Sequence, residues 1–221
     1  MGSRPASLPD WVAVLAPTVV TVLLVAALGV ARVVIGLVRP PSALARSSVR
    51  SVASCGVERW SVKTLTVPAA RRVNFHPRPT TVAALRRLRP TGYGARSPGV
   101  EMTSYRVRAR LVETKLEEDD DYHLVVADLR HPSQTMIVEF PASNCTRHAA
   151  AVRRRQMVRA RAAFVRACGY PSSSSFTYLR GTATITGVGF FDFPHGQTGV
   201  APNAIELHPV LTFTHVRCIP A

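Results

Sequence analysis

Three strands, one arginine-rich helix and two more strands, in that order, predict a β-rich α+β domain. The order is that of an OB-fold, a five-stranded small barrel with one helix between strands three and four. Two further observations frame it. An apolar stretch precedes the domain and predicts a membrane segment, and four scattered cysteines predict disulfides. The expected organisation is a membrane anchor or signal segment over 1–38, a linker over 39–54, and an OB-like extracytoplasmic domain over 55–218. Within that domain, 55–99 is a preamble with a short helix and 100–218 is the barrel.

From Trp11 to Ala31 no residue is charged, and only Thr18 and Thr21 are polar. About 20 apolar residues span a bilayer as a helix, so the run is long enough. A cleaved signal peptide would use Ala43-Leu44-Ala45 as its small-residue site, but the run is long for a signal, and an uncleaved anchor fits better. Arg32, Arg39, Arg46 and Arg50 follow the run, with only Arg4 before it, which by the positive-inside rule would leave the domain in the cytoplasm. The cysteines point the other way. Cys55, Cys145, Cys168 and Cys218 are even in number and form no C-x-x-C pair, a pattern of disulfides in an oxidising compartment. The domain is therefore expected outside the cytoplasm, membrane-bound, or secreted if the segment is cleaved. Cys145 and Cys168 flank the predicted helix, so one bridge could join its two ends while Cys55–Cys218 ties the termini. Four cysteines allow three connectivities, and spacing does not choose among them.

Residues 39–54, rich in Pro, Ser and Arg and without periodicity, read as a linker. In the preamble, Val57, Trp60 and Val62 offer a short strand, whereas Arg71-Arg72, Pro77 and Pro79 argue against a regular element. Thr80-Thr81 then caps a short helix carrying Val82, Leu85 and Leu88 on one face. Strand one runs Tyr105–Leu111 with strict alternation: Tyr105, Val107, Ala109 and Leu111 inward, Arg106, Arg108 and Arg110 outward. The acidic run Glu117–Asp121 reads as a solvated hairpin tip, the alternative being a carboxylate cluster for a hard cation. Tyr122–Asp128 and Thr135–Phe140 are strands two and three. His148–Ala167 is the helix, with Val152, Met157, Ala160, Phe164 and Ala167 along its apolar face. Gly181–Asp192 is strand four, whose glycines suit bends and bulges. Ala204–Phe213 is strand five, where Pro209 demands an edge or a bulge.

The chain carries 28 Lys+Arg against 13 Asp+Glu, a formal charge of +15. Nearly all the cations are arginine, and lysine stands only at 63 and 115. That balance suits an anionic partner such as nucleic acid, an acidic polysaccharide or anionic lipid. The candidate ligand contacts are Arg106, Arg108, Arg110, Phe190, Gln197 and Asn203; Phe190 and Phe191 point to opposite faces of a regular strand, so one could be exposed as a stacking surface, although most aromatics should be core. The densest polar constellation is Asp192, His195, Gln197, Asn203, Glu206 and His208. Asp192, His195, Glu206 and His208 are the catalytic candidates, and His195, Glu206 and His208 the metal-ligand candidates. Glu206 and His208 lie on one strand face about 7 Å apart by the strand rise, and such groups serve as acid, base or divalent-metal ligands. If His123 and Glu139 face His208, they add ligands. No H-E-x-x-H, G-x-S-x-G or Walker loop is present, and no cofactor is expected.

Two runs resemble an uncharacterised family of bacterial exported proteins: Cys55-Gly56-Val57-Glu58-Arg59-Trp60-Ser61-Val62-Lys63-Thr64, and Gly187 to Val210 with GVGFFD, HGQTGVAPN and IELHPV. The resemblance covers roughly 55–218 and implies export and one compact domain; it carries no catalytic residue. The chain departs from the family's pattern after Thr64, where Leu65-Thr66-Val67-Pro68 replaces a Gly followed by acidic residues. The functional expectation is an exported or membrane-anchored OB-like binding module for an anionic ligand, not an enzyme. The alternatives are a divalent-metal-dependent hydrolase such as a nuclease, or a structural protein of the cell envelope with a protein partner.

Overall fold

A computed structural model describes residues 55–220 except 57, 91, 93 and 95. The expected membrane segment and linker lie outside the described residues, among which no helix is long and apolar enough to cross a membrane. The elements are α1 (Trp60–Lys63), β1 (Asn74–Thr80), α2 (Val82–Leu85), β2 (Thr103–Leu116), β3 (Tyr122–Ala127), β4 (Thr135–Phe140), α3 (Ala151–Cys168), β5 (Thr177–Phe191) and β6 (Ile205–Pro220).

The domain is β-rich, with one six-stranded sheet and one long helix. Antiparallel pairing joins β2 to β3 and β3 to β4; β4 runs parallel to β6, β6 antiparallel to β5, and β5 returns to β2. The sheet is not a clean barrel. β4 and β6 meet only at Ile137↔Glu206 and Val138↔Leu207, and a sixth strand, β1, adds to β2 in parallel. β1 corrects the expectation of an irregular preamble. Its prolines, Pro77 and Pro79, lie on an outermost strand, where a missing N–H leaves no ladder bond unmade. The short strand expected around Val57–Val62 is likewise replaced, from Trp60, by the helical turn α1.

β2 reaches further than its alternation foretold, because a register shift between Leu111 and Glu113 breaks the period of two. β5 and β6 are long and bulged. Gly181 sits at φ +131, where an added Cβ would overlap the backbone of Arg217, so only glycine lets β6 approach there. Pro209 falls at a bulge, since Gly187 pairs with Val210 but Gly189 with Leu207.

α3 lays Met157, Ala160, Phe164 and Cys168 onto the sheet. The Phe164 ring lies 5.2 Å from Phe140, 5.7 Å from Phe213 and 5.8 Å from Tyr122, the centre of the core. Arg161 of the same helix stacks 3.3 Å above Tyr122 and donates to the carbonyls of Phe140 and Asp120, so it clamps the helix to the β3–β4 end of the sheet. Both disulfides form, as Cys55–Cys145 and Cys168–Cys218. The helix-spanning Cys145–Cys168 bridge is thereby replaced. Cys145 sits in a turn over Ser143–Thr146 ahead of α3 and pairs with Cys55, while Cys168, the last residue of α3, pairs with Cys218 on β6.

Candidate functional site

The inner ends of β3, β4, β5 and β6 meet beneath the preamble. Glu206 pairs across β5 with Phe190 and across β4 with Ile137; Tyr122 of β3 faces Phe140 of β4. This register brings four acids from four segments together: Asp121 before β3, Glu139 on β4, Asp192 after β5 and Glu206 on β6. All four are buried, Glu206 and Asp192 almost completely. His208 is wholly enclosed. Its Nδ1 lies 2.9 Å from Glu139 Oε2 and 3.9 Å from Glu206 Oε2, and its Nε2 lies 3.3 Å from Asp121 Oδ2. Neither ring nitrogen is aligned on a hydrogen bond, and Glu206 Oε2 and Asp192 Oδ1 also lack hydrogen-bond partners. Buried polar atoms are nearly always satisfied, so four orphans in one cluster call for an explanation.

Electrostatics couples the cluster. Burial disfavours the charged His208 imidazole, but Asp121 and Glu139 outweigh it and hold its pKa well above the usual value. His123 follows the same logic: burial opposes its charge, and Glu139, 3.3 Å from its Nδ1, raises its pKa. Burial also opposes ionisation of Glu139, yet the two histidines win and depress it. Glu206 is pushed up to about 7, by burial first and then by the Glu139 charge. Lys63 enters from α1, with Nζ 3.3 Å from Asp192 Oδ2. Burial works against its charge, but Glu139, Glu206 and Asp192 keep it raised above the ordinary lysine value. Four carboxylates therefore face one ammonium and two imidazoles.

The cluster opens into a cleft of about 570 Å³. Seven of the chain's 13 acidic residues line it: Glu58, Glu117, Glu118, Asp119, Asp121, Glu139 and Asp192. Asp119 is raised to about 6 by burial and by neighbouring Asp121. The loop after β5 forms one wall. Gly199 is at φ +80, and a Cβ there would overlap Val125, so glycine lets the loop lie on β3. The Thr198 carbonyl then reaches 3.0 Å from His123 Nε2.

Two groupings have the spacing of cation ligands. One atom each from Asp121, Glu139 and His208 lie within 4.8 Å of one another, as do one each from Glu58, Asp192 and His195. Carboxylate oxygen and imidazole nitrogen suit Mn²⁺ or Zn²⁺. Of the metal-ligand candidates, Glu206 and His208 stand together, whereas His195 belongs to the second grouping. It is half exposed at the mouth, with Nε2 3.6 Å from Asp192 Oδ2. Gln197 also lines the cleft and donates to Asp192 at 3.4 Å.

The other ligand candidates are elsewhere. Asn203 donates to the carbonyls of Leu85 and Leu88, tying α2 to the sheet. Phe190 and Phe191 are both fully buried, which corrects the expectation that one is exposed. Phe190 lies beneath the Arg59 guanidinium, 4.6 Å away, and edge-on to His208. Arg106, Arg108 and Arg110 are exposed on β2 as expected but do not line the cleft. The acidic run at 117–121 is no solvated tip: Asp121 is buried and accepts from the Ala142 N–H at 2.7 Å. Lys63, Lys115 and Asp121 are the cleft residues least legible beforehand. A signal existed for two of them, since both lysines of an arginine-biased chain line this one cleft.

Compared with protein-family models, with curated proteins and with solved structures, the chain finds no match.

Proposed function

We propose that the chain is an exported OB-like domain whose cleft holds a divalent cation and performs cation-dependent hydrolysis, a nuclease activity being the first form to test. The observation that carries this is His208, a fully buried imidazole among three carboxylates with neither nitrogen on an aligned hydrogen bond. A cation accepting the in-plane lone pair of one His208 nitrogen, together with oxygens of Asp121 and Glu139, would satisfy that nitrogen. The cyclic pairing β2–β3–β4–β6–β5–β2 supports the OB-like reading. The two disulfides support an oxidising compartment, as does the resemblance to exported proteins, and the apolar N-terminal stretch supports a membrane anchor. Without a cation, an anionic ligand seated in the cleft is disfavoured by its lining of carboxylates, so an anionic substrate would enter only with the cation bound.

The bound cation would polarise the scissile group and acidify a water. On a phosphodiester, the water would lose a proton to solvent and its oxygen would add to phosphorus while the bond to the leaving alkoxide breaks. His195, at the mouth and beside Asp192, is placed to pass a proton to the alkoxide.

The test is Mn²⁺ and Zn²⁺ titration of the full chain by calorimetry in two buffers of different ionisation enthalpy, with hydrolysis of labelled DNA and RNA followed in parallel. The expected result is one cation bound with proton release. Affinity should rise with pH, because His208, whose pKa its carboxylate neighbours raise, must give up a proton to bind, as must the Glu206 carboxyl held at about 7. Glu206→Gln and His208→Gln should each weaken binding by about 10–100-fold, and EDTA should abolish hydrolysis. No heat of binding at millimolar cation, or cleavage indifferent to EDTA, would sink the proposal.

A further inference from the structure

The outward face of β2, β5 and β6 is cationic, unlike the cleft. Arg106, Arg108 and Arg110 are exposed on β2, and between them Val107 and Ala109 turn into the core. Opposite them on β5 stand Thr186, Thr184 and Thr182. The row continues onto β6, where Thr182 faces Arg217, and Arg180 of β5 faces Ile219. The Arg108 guanidinium donates to the Thr182 and Thr184 hydroxyls at 3.2 and 3.4 Å, which lay it along the sheet. Among the described residues, none of Arg106, Arg108, Arg110, Arg180 and Arg217 takes part in an ion pair. The nearest acid in the register is Glu113, opposite Tyr178 at the end of the row.

Five exposed guanidiniums without counter-charges lower their energy by meeting an anion, and their order selects its shape. Those on β2 recur every second residue, about 7 Å apart by the strand rise, so they match a linear polyanion rather than one compact group. A second feature refines the choice. Tyr178, 65% exposed, lines a groove of about 440 Å³ together with Arg110 and Arg180. An exposed ring beside guanidiniums is a stacking platform, and every nucleobase has a face to stack. A sulfated or carboxylated glycan would use the arginines, but its charged saturated rings offer no π face to stack on the tyrosine. We propose that this face binds a single-stranded nucleic acid, with phosphates on the arginines and a base on Tyr178. The assignment stands independently of the cleft reading.

The test is fluorescence anisotropy of the full chain in mild nonionic detergent and EDTA. The probe is labelled oligothymidylate of about 20 nucleotides, longer than a single-domain site, with heparin as the rival polyanion. EDTA removes any cation from the cleft, so failure here and failure of the hydrolase reading are separable. The logarithm of affinity should fall linearly with the logarithm of salt, with a slope of about −3 to −4 for five phosphate contacts. The combined change of Arg106, Arg108 and Arg110 to Ser should reduce that slope by about 2. Tyr178→Ala should weaken binding about tenfold or more and leave the slope unchanged. An unchanged thermal midpoint of the variants shows that the fold persists. No binding at 50 mM salt, a triple variant that binds like the parent, or heparin binding as tightly with Tyr178→Ala silent would each overturn the proposal. The last would assign the face to an anionic glycan.

Discussion

Glu101 carries more of the structure than any other single acid outside the cleft. It is fully buried; its two oxygens take both terminal nitrogens of Arg59, at 3.0 and 2.8 Å, and the backbone N–H groups of Phe191 and Ser97. Arg59 also donates to the Phe191 and Gly94 carbonyls, so one ion pair fastens the preamble to the end of β5. Arg96 adds a bond to the Glu101 carbonyl, and burial lowers its pKa to about 10 despite Glu101 nearby. Removing one partner of such a pair strands a buried charge, and that cost exceeds what the pair gains over an apolar substitute. Glu101→Ala should destabilise the domain by about 3–5 kcal/mol, read as a lower urea midpoint with an unchanged slope. A smaller loss than about 1 kcal/mol would mean that water reaches Arg59. None of this was legible beforehand. Arg59 and Glu101 lie 42 residues apart, in segments without periodicity, and nothing local distinguishes them from solvated charges.

At the scale of elements, Asp128 shows how a turn organises two units. The turn after β3 is an Asx-type cap: Asp128 Oδ1 accepts from the N–H groups of Arg130 and His131. Its Oδ2 accepts from the Ala83 N–H at 2.9 Å, in the first turn of α2, where Thr81 caps Ala84. One carboxylate therefore closes the β3–β4 hairpin and seats a helix whose own four residues could not sustain it. Burial opposes the charge, but the three N–H donors prevail and hold the pKa below the ordinary aspartate value. A depressed acid stabilises the fold above its unfolded pKa, and that contribution is lost as pH falls through the folded value. Asp128→Ala should cost about 1–3 kcal/mol at pH 7 by orphaning a buried N–H, and the gap from the parent should shrink below about pH 4. Chemical denaturation at pH 7 and pH 3 checks both; a gap that widens in acid contradicts the assignment. β1 teaches the converse lesson. Its two prolines look prohibitive in sequence because an edge position, which excuses them, is a property of the assembled sheet.

Over the whole molecule, the two disulfides act on different parts. Cys168–Cys218 fixes the last residue of α3 to β6 across 50 residues, and Cys55–Cys145 closes 90 residues and lies in the wall of the cleft. Removing either cross-link frees the unfolded chain, by about 2–4 kcal/mol. Cys168→Ser with Cys218→Ser should therefore lower stability and leave cation affinity alone. Cys55→Ser with Cys145→Ser should lower both, because it releases the chain that leads through Glu58 to Lys63. Urea midpoints and cation titrations of the two variants separate the effects, and equal cation affinities would place the Cys55–Cys145 bridge outside the working of the cleft. The charge distribution divides in the same way. Seven of the 13 acids of a +15 chain gather in one cleft, while five arginines line an outer face of the sheet.

What the sequence by itself determined is local in origin. Alternation announced β2 and its outward arginines, the period of 3.6 announced α3, and the order of elements announced a β-rich domain with one long helix. His208, Glu206 and Asp192 stood out because they cluster within one stretch of chain. The tertiary structure alone decided which cysteines pair, that Pro77 and Pro79 sit in a strand, and that Phe190 is buried. It also decided that Asp121, Glu139 and Lys63 complete the cluster around His208. The physical reason is that periodicity and turn chemistry act over a few residues, whereas pairing register, burial and Coulomb coupling depend on distances that only closure of the sheet creates.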